Sequence, residues 1–188
     1  MNTSIHIVGI SGSLRKGSYN TALLRAVREL LPVNTTFEIA SIGDLPMFNA
    51  DLVDGKMPDS VSVLRSTLSK ADAFVIASPE YNYSIPGGLK NAIDWMSRGK
   101  DSPLTGKPVA VMGATNGMWG TVRMQGAFRP IFQYLNMVPV NKPEVLVAQA
   151  HTKFDETGTL IDEQTRDIMR KQLAELQKQT NHIRLIGD

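Results

Sequence analysis

The chain has 188 residues, 42% hydrophobic and 20% charged, which suits one folded domain (1–188) and excludes wholesale disorder or a collagen-like repeat. Its 20 Lys and Arg against 18 Asp and Glu give a net charge of +2 and a pI near 8.9, too diffuse for a dedicated nucleic-acid binder. There is no cysteine, so disulfides, thiolate nucleophiles and Cys-ligated metal centres are excluded together; any electrons must travel on a bound organic cofactor. No segment approaches the ~20 consecutive apolar residues that span a bilayer, so no membrane insertion is expected. Met1-Asn2-Thr3-Ser4 runs straight into an apolar stretch with no signal-peptide cleavage site, and a cytoplasmic location is the expectation.

In chain order, the apolar run 5–10 reads as a first strand. Leu23, Leu24, Val27, Leu30 and Leu31 then form one helical stripe that stops at Pro32. A second strand is expected over 37–41, and a helix over 59–70 turns Val61, Leu64 and Leu68 inward. Strand 73–78, helix 87–97 ending near Gly99, strand 109–112 and helix 121–135 follow. The fifth strand is contested: 138–140 and 145–147 both qualify, with Lys142-Pro143 between them. An exposed loop is expected over 153–158. A last helix over 162–183 carries Ile161, Thr165, Ile168, Met169, Leu173, Leu176 and Ile183 on one side. The alternation implies a doubly wound α/β sandwich, with parallel strands joined by right-handed crossovers. Ligands in such folds bind beyond the carboxyl ends of the strands, where strand order reverses. Chemistry is therefore sought in the loops after strands one, three and four.

The first of these, Gly9-Ile10-Ser11-Gly12-Ser13-Leu14-Arg15-Lys16-Gly17-Ser18-Tyr19-Asn20, opens directly into a helix. Unpaired N–H groups and the helix dipole favour an anion there, Ser11, Ser13 and Ser18 can donate to phosphate oxygens, and Arg15 can clamp them. The order of residues is neither a Walker A motif nor GxGxxG, so a terminal phosphate monoester fits better than a pyrophosphate. A capped polar loop is the plainer alternative. In the second loop, Ser78-Pro79-Glu80-Tyr81-Asn82-Tyr83-Ser84-Ile85-Pro86, two tyrosines fenced by prolines can grip a flat heteroaromatic ring or serve packing and subunit contact. Glu80 has no charged partner nearby in sequence and is read as a backbone organiser, not a catalyst. The third, Gly113-Ala114-Thr115-Asn116-Gly117-Met118-Trp119-Gly120-Thr121, lets main-chain N–H groups approach a ligand closely. Trp119 is a wall of the site or an interface residue.

Other features point to no chemistry. His6, His151 and His182 are scattered singly, so no metal site is expected, and His6 reads as a satisfied core residue. No Ser lies in GxSxG. Arg166, Arg170, Lys171 and Lys178 read as a solvated helix face and no nucleic-acid partner is expected; Met112, Met118, Met124, Met137 and Met169 read as packing residues.

The segments GSLRKGSYN at 12–20 and SPEYNYSIPGGLKNAIDW at 78–95, with Asn141-Lys142-Pro143-Glu144 further on, resemble the NAD(P)H-dependent FMN reductase family, and within it the bacterial quinone reductases of the chromate reductase and azoreductase type. The resemblance covers nearly the whole chain. It implies a flavodoxin-like three-layer sandwich, with a five-stranded parallel sheet of order 2-1-3-4-5 and FMN held non-covalently. It further implies that Ser11, Ser13, Leu14, Arg15, Ser18, Tyr19 and Asn20 surround the 5′-phosphate. Pro79, Glu80, Tyr81 and Asn82 would then line the isoalloxazine, with Thr115, Asn116 and Gly117 on its pyrimidine side. Relatives are dimers or tetramers, so a homodimer or homotetramer is expected, with Arg123, Glu144 and Tyr83 as candidates for the subunit contact. Trp119 and Gly126 depart from the family pattern.

The implied chemistry is ping-pong. NADPH or NADH passes hydride to the flavin, and a quinone or similar small oxidant (an azo compound, chromate, a ferric species) takes the electrons. No catalytic side chain is assigned, because the cofactor carries the chemistry. The rivals are a reductase that releases reduced FMN and a non-enzymatic flavodoxin-like carrier. Carriers of that type are acidic, which the pI opposes.

Overall fold

The structure is a computed structural model that describes residues 4–53, 55–99 and 101–187; the N-terminal tripeptide weighed for a signal sequence lies outside them. The chain builds β1 (Ile5–Ser11), α1 (Tyr19–Leu30), β2 (Thr35–Ala40), α2 (Asp59–Ser69), β3 (Ala73–Ala77), α3 (Gly87–Met96), β4 (Pro108–Ala114), α4 (Val122–Leu135), β5 (Val138–Pro139), β6 (Val145–Val147) and α5 (Glu163–Gly187). All pairings are parallel and the order is β2-β1-β3-β4-β5, the flavodoxin-like order expected. Strand β1 shows why an unbroken apolar run suits this position. Its alternate residues serve opposite faces, Ile5 and Ile7 packing with α1 and α5, Val8 and Ile10 with α2, α3 and α4.

Both candidates for the fifth strand form. Val138 and Pro139 pair with the start of β4, Val145 to Val147 with its end, so two short strands share one sheet edge. Pro143, which has no N–H for a ladder, lies in the segment that leaves the edge between them. The loop expected over 153–158 is only partly exposed: Phe154 is buried, bridges to Leu160 and packs against Tyr19, while Asp155 to Gly158 form the surface turn. Ile161 is a second correction; it precedes α5 and faces solvent, because Asp162 is the residue that starts the helix. His6 is a third. Its ring is partly exposed at the N-terminal end of the sheet and is satisfied by Thr36 and Glu38 across the edge strand, not by the core. Met118 is exposed, unlike Met112, Met124, Met137 and Met169. No helix is long and apolar enough to cross a membrane among the described residues.

Register positions the site. Ser11 lies beside Ala77, and Ala77 beside Met112. The loops after β1, β3 and β4 thus leave one sheet edge side by side.

Candidate functional site

At the first loop, Gly12 N–H bonds the Ala77 carbonyl at 2.8 Å, pinning the loop to β3. Only glycine fits there, because a Cβ would collide with the Ser78 hydroxyl. Ser11, Ser13 and Ser18 are buried. Ser11 Oγ bonds Thr21 Oγ1 at 2.8 Å and accepts from Ser13 N–H, while Ser18 Oγ caps α1 by accepting from Thr21 N–H at 3.3 Å. Ala22 N–H reaches the Ser18 carbonyl, which leaves Tyr19 and Asn20 N–H at the open end of α1. The first turn of α1 holds no acidic residue. Arg15 is exposed, and its guanidinium has no protein partner among the described residues. These groups together form a cradle for a compact anion. The Asn20 side chain does not join it as a phosphate ligand. Its Nδ2 donates to the Ala114 carbonyl at 3.0 Å and its Oδ1 accepts from Ala114 N–H at 2.8 Å, tying α1 to the end of β4. Leu14 is exposed and lies over Gly43 and Gly88.

The second loop is a tight hairpin in which Tyr81 and Ser84 exchange both main-chain bonds, with positive φ at Asn82 and Tyr83. Tyr81 and Tyr83 are exposed. Glu80, 14% exposed, points inward and accepts from the N–H groups of Arg123 and Met124 at 2.9 and 3.1 Å. It is the organiser expected, and what it organises is the start of α4. Thr121, expected as the first residue of that helix, flanks it with φ 68° and offers no cap through its side chain. In the third loop, Thr115 N–H bonds Val147 O and Gly117 N–H bonds Thr115 Oγ1. Asn116 Oδ1 accepts from His151 N–H, and Thr115 O and Gly117 O accept from Ala150 and Gln149. The N–H groups of Glu80, Asn82 and Asn116 have no protein acceptor among the described residues.

A family model described as NADPH-dependent FMN reductase matches residues 5–152. The chain belongs to this family. It is 42% identical to an NAD(P)H-dependent FMN reductase of Pseudomonas aeruginosa, over 98% of this chain and all of that one. It is 40% identical to a quinone reductase of Escherichia coli K12, over 93% of this chain and 94% of that one. Among solved structures it resembles FerB, a flavoenzyme NAD(P)H:(acceptor) oxidoreductase from Paracoccus denitrificans, with a TM-score of 0.83, 31% identity, and coverage of 96% and 97%.

Within this member of the family, the residues expected from sequence gather at one edge: Ser11, Ser13, Leu14, Arg15, Ser18, Tyr19 and Asn20 from the first loop, Pro79, Glu80, Tyr81 and Asn82 from the second, Thr115, Asn116 and Gly117 from the third. Sequence reasoning missed the supports behind them. Thr21 completes the serine network, and Asn91 holds the segment after β2 by accepting from Phe48 N–H at 2.7 Å and donating to Pro46 O at 2.9 Å. Trp95 Nε1 donates to the same carbonyl. Asn91 and Trp95 stand four apart on α3, a polar–aromatic pair on a buried helix face that was open to notice.

Proposed function

We propose that this chain is an FMN-dependent oxidoreductase that takes hydride from NAD(P)H and delivers two electrons to quinones or kindred small oxidants. NAD(P)H, a quinone and one proton give NAD(P)⁺ and the hydroquinone. The observation that carries this reading is the anion cradle of β1–α1, whose Arg15 guanidinium has no partner among the described residues, set beside two loops whose main-chain donors have no acceptor among them. A phosphate-tailed flat heterocycle fits that arrangement. FMN, when bound, supplies the centre that accepts hydride and yields electrons.

The chain's own residues then have definite tasks. Tyr19 and Asn20 N–H, the Ser13 and Ser18 hydroxyls and Arg15 hold the phosphate, and Ser11 fixes the loop that presents them. Pro79, Glu80, Tyr81 and Asn82 would line the ring from the second loop, and Thr115, Asn116 and Gly117 from the third. The N–H groups of Glu80, Asn82 and Asn116, without a protein acceptor among the described residues, would offer fixed donors to a polar ring edge. No side chain is assigned as acid or base, and solvent supplies the one proton. We further propose a single domain, a cytoplasmic setting and a homo-oligomer. The relatives named as reductases of FMN and of quinones support the reaction class. Steady-state NAD(P)H oxidation by FMN-loaded, desalted protein tests it. Turnover that requires an added quinone is expected; none with any quinone, azo dye, chromate or free FMN would refute the reading.

A further inference from the structure

The segment between β6 and α5 touches both ends of the proposed flavin site. At one end it grips the third loop. Ala150 N–H bonds Thr115 O at 2.9 Å, Gln149 N–H bonds Gly117 O at 3.0 Å, and His151 N–H bonds Asn116 Oδ1 at 3.2 Å. Gln149 takes φ 48°, uncommon for a residue with a side chain, and Thr152 Oγ1 closes its turn on Gln149 O at 2.9 Å. These bonds set a direction. In a trans peptide the C=O and the N–H that follows it point to opposite sides. The peptides after Thr115 and Gly117 are trans, and both carbonyls are turned to this segment. The N–H groups of Asn116 and Met118 therefore point away from it, and neither has a protein acceptor among the described residues.

The other end reaches the anion cradle. Phe154 is buried, and its ring centroid lies 5.1 Å from that of Tyr19, the first residue of α1, whose N–H belongs to the cradle. Phe154 sits in the core layer under α1 and α5, whereas α4, with Arg123, covers the opposite sheet face. Between its ends the segment is cross-braced. Ile161 N–H bonds Lys153 O at 2.9 Å and Lys153 Nζ bonds Asp162 at 2.7 Å. Asp155 locks the turn by accepting from the N–H groups of Thr157 and Thr159, both at 2.9 Å.

We propose that residues 149–162 form a strap that couples the phosphate end of the flavin site to the third loop, with Phe154 as its positioning residue. The strap aims the Asn116 and Met118 donors and, through Phe154 and Tyr19, fixes the cradle relative to them. A ligand with a phosphate at one end and a polar ring at the other then meets both groups at a preset separation, with little left to order on binding. The inference rests on the FMN reading and adds how the two ends are held in register.

The test is a double-mutant cycle on flavin affinity, with the whole protein titrated with FMN and with riboflavin, which lacks the phosphate. Phe154→Leu keeps a buried apolar side chain but loses the ring against Tyr19, and Asn116→Ala loses the acceptor for His151 N–H. Each should weaken FMN binding roughly 3- to 10-fold. Phe154→Leu, although placed at the phosphate end, should weaken riboflavin too. The double variant should fall well short of the product of the two single effects, because freeing one end of the strap already frees the other. Leu176→Val, a trim in the same core layer on α5, should lower the urea midpoint and leave both affinities unchanged. A full product in the double variant, riboflavin binding untouched by Phe154→Leu, or equal weakening in Leu176→Val would overturn the proposal. A parent that binds neither flavin saturably overturns the FMN reading and the strap with it. A parent that prefers FMN to riboflavin, with an additive cycle, keeps the FMN reading and removes the strap.

Discussion

Arg15, in the first loop, and Asn20, five residues on in the first turn of α1, do different work. Arg15 projects a guanidinium with no protein partner among the described residues, so its removal should cost the fold little and the ligand much. A charge-assisted hydrogen bond contributes about 1.5–3 kcal/mol, so Arg15→Ala should weaken FMN binding roughly 10- to 100-fold in equilibrium dialysis, and an unchanged Kd would contradict the phosphate assignment. Asn20 is committed to Ala114 through both its amide atoms. Asn20→Asp loses the donor to a buried carbonyl and should cost about 1–3 kcal/mol in urea unfolding. The loop was legible as an anion site because serines, glycines and an arginine at a helix start are local signals. The Asn20 tether was not, because its partner lies 94 positions away and no spacing encodes it. Glu80 falls between: the lack of a neighbouring charge pointed to a main-chain partner, while the identity of that partner, α4, came only from the fold.

Two glycines, one in α4 and one in β4, behave in opposite ways. Gly126 lies inside the helix, and a Cβ there would meet nothing within 4 Å. Gly126→Ala should therefore raise stability by about 0.5–1 kcal/mol, read as a higher urea midpoint with unchanged slope. Gly113, at the end of β4, is the opposite: a Cβ would lie 2.6 Å from the Ser78 carbonyl and collide with the Thr121 hydroxyl. Alanine there should cost about 1–3 kcal/mol and loosen the third loop. At α5, Asp162 accepts from Thr165 N–H at 2.9 Å and pairs with Lys153 Nζ at 2.7 Å. The Lys153 bond first, then Thr165, hold its carboxyl below the usual 3.8. A depressed carboxylate stabilises the fold above its unfolded pKa, and that share is lost as pH falls through the lower folded value. Asp162→Ala should accordingly cost about 0.5–2 kcal/mol near neutrality, with the difference from the parent shrinking below about pH 4. Periodicity exposed most elements because each strand or helix buries a regular face. It failed at 138–147, where two short stretches share one edge and only pairing with β4 shows that both are strands.

For the whole molecule, the parallel register sets the function. Loops far apart in sequence leave one sheet edge together, and the three named from the alternation of elements are the three that converge. What sequence could not give was the cross-loop chemistry, chiefly Arg123 beside two aromatic rings, since Glu80 and Tyr83 reach it from the second loop and Trp119 from the third. The central claim is that bound FMN links NAD(P)H to a small oxidant on this one chain. The direct test is the visible spectrum of FMN-loaded, desalted protein, followed without oxygen while NADPH or NADH and then a quinone are added. Flavin bands that stay with the protein, bleach with the nucleotide and return with the quinone are predicted. Bands that stay but ignore both nucleotides, or flavin that is lost on desalting, would contradict the account.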